Sequence, residues 1–139
     1  MISGPEAQRI KAQLLMWWIV WGGVLGGLVV IYFFFGRAKP LPVASTDDLL
    51  INLVGFPPVF VSVIVRWLVL PRYTEPRRAL VIFVVGLALA EFCGILGIFL
   101  GGAYRDVLFL LGVFGIIQYV PVYARKFFEP RHSGYIPNN

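Results

Sequence analysis

ALVIFVVGLALAEFCGILGIFLGG, residues 79–102, carries one charged side chain, Glu91, in 24 residues. At a helical rise of about 1.5 Å per residue this stretch is ~36 Å long, enough to cross a hydrocarbon core of about 30 Å with Glu91 near the midplane. It is therefore read as a membrane span, and its acid needs an answer. Placing an ionisable side chain at that depth costs about 2.5–3.5 kcal/mol on insertion scales, so Glu91 is expected to face a bundle interior, a wet cavity or a hydrogen-bond partner. At ~100° per residue, Gly86, Ala90, Gly94, Gly97 and Gly101 fall within about 80° of one another, a stripe that lets a second helix approach closely, with Glu91 on its flank.

The rest of the chain has the same character. Its 139 residues are 59% hydrophobic and only 14% charged, with a mean hydropathy of +0.83, which is too little polar surface for a water-soluble domain. Three further apolar runs, 14–35, 49–70 and 107–127, each approach the ~20 residues needed to span a bilayer. The expected fold is all-α: a polytopic membrane protein, an antiparallel four-transmembrane-helix bundle forming one domain over 1–139, with a flexible cytoplasmic tail at 129–139. The connections are too short for a folded extramembrane domain, so any chemistry belongs in the bundle or at its rims.

The net charge of +5 is explained by topology. Arg9, Lys11, Arg66, Arg72, Arg77, Arg78, Arg125, Lys126 and Arg131 fall on one side of the four spans, and Arg37, Lys39 and Arg105 on the other. That positive-inside bias predicts both termini in the cytoplasm and a multi-pass protein of the plasma (inner) membrane. It makes the lipid bilayer the first partner and leaves no charge that calls for nucleic acid. Trp17, Trp18, Trp21 and Trp67 cluster toward the same interface, as an aromatic belt does. Cys93 is the single cysteine and His132 the single histidine; neither an intrachain disulfide nor the ligand clusters of a metal site can be assembled from them, so no metal or cofactor is expected.

In chain order, Ser3 with Glu6 and Pro5 reads as a helix start ahead of the membrane. Gly22, Gly23, Gly26 and Gly27 form two overlapping GxxxG pairs, a packing face for another helix of the chain or for a second copy. Ser45 with Asp48 reads as a capping box opening the second span. Pro57 and Pro58 leave the carbonyls of Leu53 and Val54 without their usual donors, which predicts a kink or a short break at membrane depth; such breaks coordinate ions in transporters. Arg66 lies one turn from the cytoplasmic end, close enough to snorkel to headgroups and too far from Glu91 for a direct pair. Gly101 and Gly102 end the third span in a tight turn, and the fourth ends near Pro121 or continues kinked.

Counted from that turn, Glu91 and Gln118 are both about 16 Å deep, which makes Gln118 the first candidate partner of the acid, with Tyr119 and Ser62 as further donors. These four form the candidate ion- or proton-binding set. Gly22, Gly23, Gly26, Gly27, Gly86, Gly94 and Gly97 are the expected helix-packing residues. No catalytic group is expected: Ser62 has no histidine near it, and Cys93 lies about 160° around its helix from Glu91.

ALAEFCGILG, residues 88–97, resembles the carboxylate helix of rotary ATPase proteolipid subunits, a likeness implying that Glu91 is a reversible proton or sodium carrier. The basic start, the proline-containing second span, Glu91 in the third span, and Gln118 followed by Pro121 in the fourth resemble the small four-helix I protein found with bacterial ATP synthases. The whole pattern is also similar to uncharacterised small bacterial four-span membrane proteins, a likeness that implies architecture and no activity. Two functions are thus expected to compete. One is a non-enzymatic accessory or assembly component packed against a larger membrane complex or a second copy, and the other is a proton or cation carrier using Glu91.

Overall fold

A computed structural model describes residues 4–37 and 46–128, and every element in them is helical. Helix α1 spans Gly4–Ile31 and closes in a π-turn, Tyr32–Gly36; α2 spans Thr46–Ile64 and closes in another, Val65–Val69, followed by a 3₁₀ turn, Leu70–Arg72. Helix α3 spans Pro76–Leu100, and α4 spans Arg105–Ile117 and gives way to a 3₁₀ segment, Pro121–Phe127. Four stretches are long and apolar enough to cross a membrane: Glu6–Gly36, Leu53–Arg72, Pro76–Leu100 and Gly102–Phe127, of 31, 20, 25 and 26 residues. The capping box at Ser45 and Asp48 and the tail at 129–139 lie outside the residues whose side chains are described.

Two boundaries move for local reasons. The third helix begins at Pro76 and not at residue 79, because proline at the first helical position gives up only a donor that would have no partner anyway. It ends at Leu100, where Gly101 N–H donates to the Gly97 carbonyl at 2.9 Å and Gly102 turns the chain with φ 50°, a region open to glycine at little cost. Of the kink or short break expected at Pro57 and Pro58, the break is absent: α2 runs α-helical through both prolines. The break falls instead in the fourth span.

The α3 and α4 helices pack backbone to backbone. A Cβ on Gly112 would come within 2.8 Å of Gly94 Cα and N, and one on Gly97 would meet the Phe109 nitrogen at 3.0 Å. Gly86 stands against Tyr119, Ala90 against Gly115, Gly94 against Gly112 and Gly97 against Leu108, so numbering falls along one helix as it rises along the other. On one side of α3, α1 seats Trp17 on Phe83, ring centroids 4.7 Å apart, and Leu28 against Gly94. On the other, α2 brings Val59 to Gly115 and Ser62 to Gly86.

The four glycines of α1 take no part in this core. A Cβ on Gly22, Gly23, Gly26 or Gly27 would meet nothing within 4 Å. The buried residues Trp17 and Leu28 fix the inward face of α1, and Gly26 lies about 180° from Trp17 at ~100° per residue. The stripe therefore points away from the bundle. It shares that outward surface with large apolar side chains, among them Phe34, Val54, Phe114 and Val122, each more than two-thirds exposed, a covering suited to lipid and not to water.

Candidate functional site

The interruption of α4 follows from Pro121. Proline has no N–H to give, and its ring clashes with the carbonyl four residues back, that of Ile117, so the α-helix stops there. The carbonyls so released need other donors, and each finds one. Gln118 N–H donates to Phe114 O at 3.2 Å, Tyr119 N–H to Ile116 O at 3.0 Å and Val120 N–H to Ile117 O at 3.0 Å. Two neighbouring helices complete the set: Trp21 Nε1 of α1 donates to Ile116 O at 2.9 Å, and Arg66 Nε, from the π-turn after α2, donates to Gln118 O at 2.8 Å.

Around this break lies the densest polar and aromatic cluster of the described residues. Trp67 Nε1 donates to Gln118 Oε1 at 3.2 Å. The Arg66 guanidinium lies 3.9 Å over the Tyr123 ring and 5.2 Å from that of Trp67, and Lys126 Nζ approaches Tyr123 to 5.9 Å and Phe127 to 5.1 Å. Gln118 Nε2 and the Tyr123 hydroxyl are covered and have no hydrogen-bond partner among the described residues. The cluster is rich in donors and positive charge and holds no carboxylate, so its chemistry is that of an anion or acceptor site.

Ser62 and Tyr119 form a separate lock one turn deeper. Tyr119 donates its hydroxyl proton to the Ser62 carbonyl at 2.5 Å, and Ser62 Oγ donates to the Gly86 carbonyl at 2.8 Å. Both residues are fully buried. A Cβ on Gly86 would overlap the Tyr119 hydroxyl, so this glycine is the space in which the phenol lies. Three of the four predicted site residues, Gln118, Ser62 and Tyr119, are thereby gathered where α2 meets α4.

Glu91 is not among them. Along α3 it lies about 22 Å from Pro76 and about 13 Å from Leu100, inside the span but nearer its Leu100 end. Gln118 adjoins Tyr119, which meets α3 at Gly86, about one helical turn away from Glu91 in depth. The two also differ in azimuth. Gly86 and Cys93 face the α2 side, whereas Glu91 is displaced about 160° from Cys93, beyond Gly94, where α1 packs. Its side chain is partly exposed, and it makes no hydrogen bond or ion pair with any described residue.

The opposite end of the bundle has its own polar tie. Tyr32, in the π-turn after α1, donates to Asp106 Oδ1 at 3.0 Å and stacks on Phe109 at 3.8 Å between centroids. Arg105 Nε donates to the same carboxylate oxygen at 2.9 Å. Cys93 is buried, its thiol 3.7 Å from the Leu108 carbonyl. No three His, Cys, Asp or Glu side chains come together among the described residues.

Sequence reasoning found Gln118 and Tyr119 but missed Trp67 as the donor to the Gln118 amide, Trp21 as the donor to the Ile116 carbonyl and Tyr123 as the ring under Arg66, and read Arg66 only as a headgroup anchor. The available signal was Pro121 three residues after a glutamine, since a proline inside a span announces released carbonyls and hence donors at the same depth. Comparison with protein-family models, curated proteins and solved structures finds no match for this chain.

Proposed function

We propose that this chain is a non-enzymatic accessory or assembly component that docks in the bilayer against a larger membrane complex, with Glu91 as its polar point of contact. In this reading the four helices form an antiparallel transmembrane bundle in the plasma (inner) membrane, with both termini on the cytoplasmic side that the basic residues mark. The observation that carries the proposal is the state of Glu91: inside the span, partly exposed and unanswered by any described residue of its own chain. A carboxyl at that depth is stabilised by a hydrogen bond from a neighbour, and a neighbour outside the chain is the simplest source. The outward glycines of α1 offer a surface that another helix can approach closely.

A carrier would need relay groups beside the acid, and Gln118, Ser62 and Tyr119 are engaged on the other side of α3. Gentle-detergent purification with identification of co-purifying proteins tests the proposal. Glu91→Ala is expected to lower partner recovery about threefold or more, the loss of one intramembrane hydrogen bond of ~0.6–1.7 kcal/mol, while Glu91→Gln retains most of it. If no partner is recovered with the parent protein, and Glu91→Gln abolishes cation or proton flux in proteoliposomes, the carrier takes its place.

A further inference from the structure

The contacts between α1 and α3 fix what surrounds Glu91 on the outside of the bundle. Trp17 lies on Phe83 and Leu28 against Gly94, the second pair eleven residues beyond the first in both helices, so α1 and α3 run side by side in the same direction. Glu91, three residues before Gly94, is therefore level with Leu25, three before Leu28. Gly23 and Gly27 bracket that depth by about 3 Å on either side.

Azimuth places these groups on one side of the helix pair. On α1, Trp21 lies about 40° to one side of the buried Trp17 and donates to the Ile116 carbonyl of α4, whereas Gly27 and Gly23 lie about 80° and 120° to the other. On α3, Ala90 and Gly86 lie about 40° and 80° to one side of Gly94 and meet Gly115 and Tyr119 of α4, with Cys93 beyond them beside Val59 of α2. Glu91 lies about 60° to the other side. The carboxyl and the two glycines thus open on one notch between α1 and α3, on the surface turned away from α4 and α2. A Cβ on either glycine would meet nothing within 4 Å, so one wall of the notch has no side chain to fill the space beside the acid.

We infer that this notch receives one transmembrane helix of another protein, which carries a side-chain amide, Asn or Gln, level with Glu91. The inference rests on the reading of Glu91 as the point of contact with a partner and specifies what that partner presents. An amide donates to a carboxylate and accepts from a protonated carboxyl, so it answers the acid in either state. It also crosses the bilayer without the insertion penalty of a lysine or arginine, and the glycine wall lets its backbone come close enough for so short a side chain to reach. A second copy of the chain supplies no such group. The described residues exposed within about one turn of that depth have no hydrogen-bonding side chain, the largest being Phe60, Phe92, Phe114 and Ile117, and Gln118 is engaged by Trp67. A second copy would set an acid against an acid.

The probe is a Lys-flanked leucine–alanine transmembrane peptide with a single central Asn, labelled with an energy-transfer acceptor. It is diluted in phosphatidylcholine vesicles with the full chain, which carries the donor at Lys11→Cys in a Cys93→Ser background. The Asn peptide is expected to associate about threefold or more tightly than its Leu-centred counterpart, the factor for one intramembrane hydrogen bond. Glu91→Ala should abolish that preference and Glu91→Gln should keep it. The double variant Gly23→Leu, Gly27→Leu fills the notch from the α1 wall and should weaken the Asn peptide by a similar factor, while Phe114→Leu on α4 should not. Moving the Asn seven residues along the peptide, about 10 Å, should also remove the preference. Equal association of the two peptides with the parent chain, or a preference that survives Glu91→Ala or the double glycine variant, would overturn the site. Energy transfer between two labelled populations of the chain that disappears in Glu91→Ala would give the notch to a second copy and overturn it equally. Recovery of partners from membranes separates this inference from the accessory role. A Glu91-dependent partner without an Asn preference removes the amide helix and leaves the accessory role standing, whereas an Asn preference without a recovered partner supports the notch and removes the accessory role.

Discussion

At the scale of single residues, the Gly86–Tyr119–Ser62 lock is the sharpest case of sequence serving packing. The Tyr119 hydroxyl occupies the volume in which a side chain at position 86 would begin. Gly86→Ala is therefore expected to destabilise the bundle by about 1–3 kcal/mol, the range for overpacking a filled site. Tyr119→Phe alone should cost about 0.6–1.7 kcal/mol, one intramembrane hydrogen bond. The double variant Gly86→Ala, Tyr119→Phe should lose less stability than the two single losses add up to, because the nearest clashing atom is gone, although the ring Cζ and Cε1 still crowd the new methyl. Unfolding in detergent, followed by circular dichroism over the four variants, measures that coupling. Additive losses would show that the two residues are not in contact.

At the scale of elements, the glycines divide into two populations that look alike in sequence. Gly94, Gly97 and Gly112 are where the α3 and α4 backbones touch, and Gly112→Ala is expected to cost about 1–3 kcal/mol because the facing atoms are backbone of Gly94 and Ala90. Gly22→Ala and Gly26→Ala should leave the stability of the isolated chain unchanged or slightly raised, since a methyl there meets nothing and alanine is the better helix former. The same thermal measurement separates the two groups. The α4 break gives a second prediction at this scale. Trp21→Phe removes a donor to Ile116 O from another helix and should cost about 1 kcal/mol, the net worth of one such bond, with faster amide exchange over residues 117–121. Unchanged exchange there would mean that the break is held without α1.

For the whole molecule, the arrangement of charge and burial predicts chemical accessibility. Cys93 has no exposed surface, so a membrane-permeant maleimide should leave it unmodified in the folded chain and react after denaturation in dodecyl sulfate. In a Cys93→Ser background, cysteines introduced at Lys11, Arg72 and Lys126 should react with an impermeant reagent from one side of the membrane, and one at Arg37 from the other. Labelling of all four from the same side would overturn the four-span topology.

Much of the architecture was legible in the chain because hydrophobic length is a property of segments, which needs no neighbour to be evaluated. The apolar runs, the tight Gly101–Gly102 turn and the small-residue face of α3 all belong to that class. Contacts between segments were not legible. Depth counted from a turn placed Glu91 and Gln118 nearly level, but depth says nothing of azimuth, and the two side chains leave their helices toward different neighbours. Pro57 and Pro58 read as a kink or a short break, yet α2 is α-helical through both; that the fourth helix ends near Pro121 was one of its two readings, but that Trp21 and Arg66 answer the carbonyls of Ile116 and Gln118 there was not legible. Composition alone determined that this protein is a set of membrane-length helices, since transfer of apolar surface sums over residues independently. Which polar groups meet, and that Glu91 meets none among the described residues, was decided by the tertiary structure, because a hydrogen bond depends on distance and direction between chain segments that the sequence leaves unordered in space.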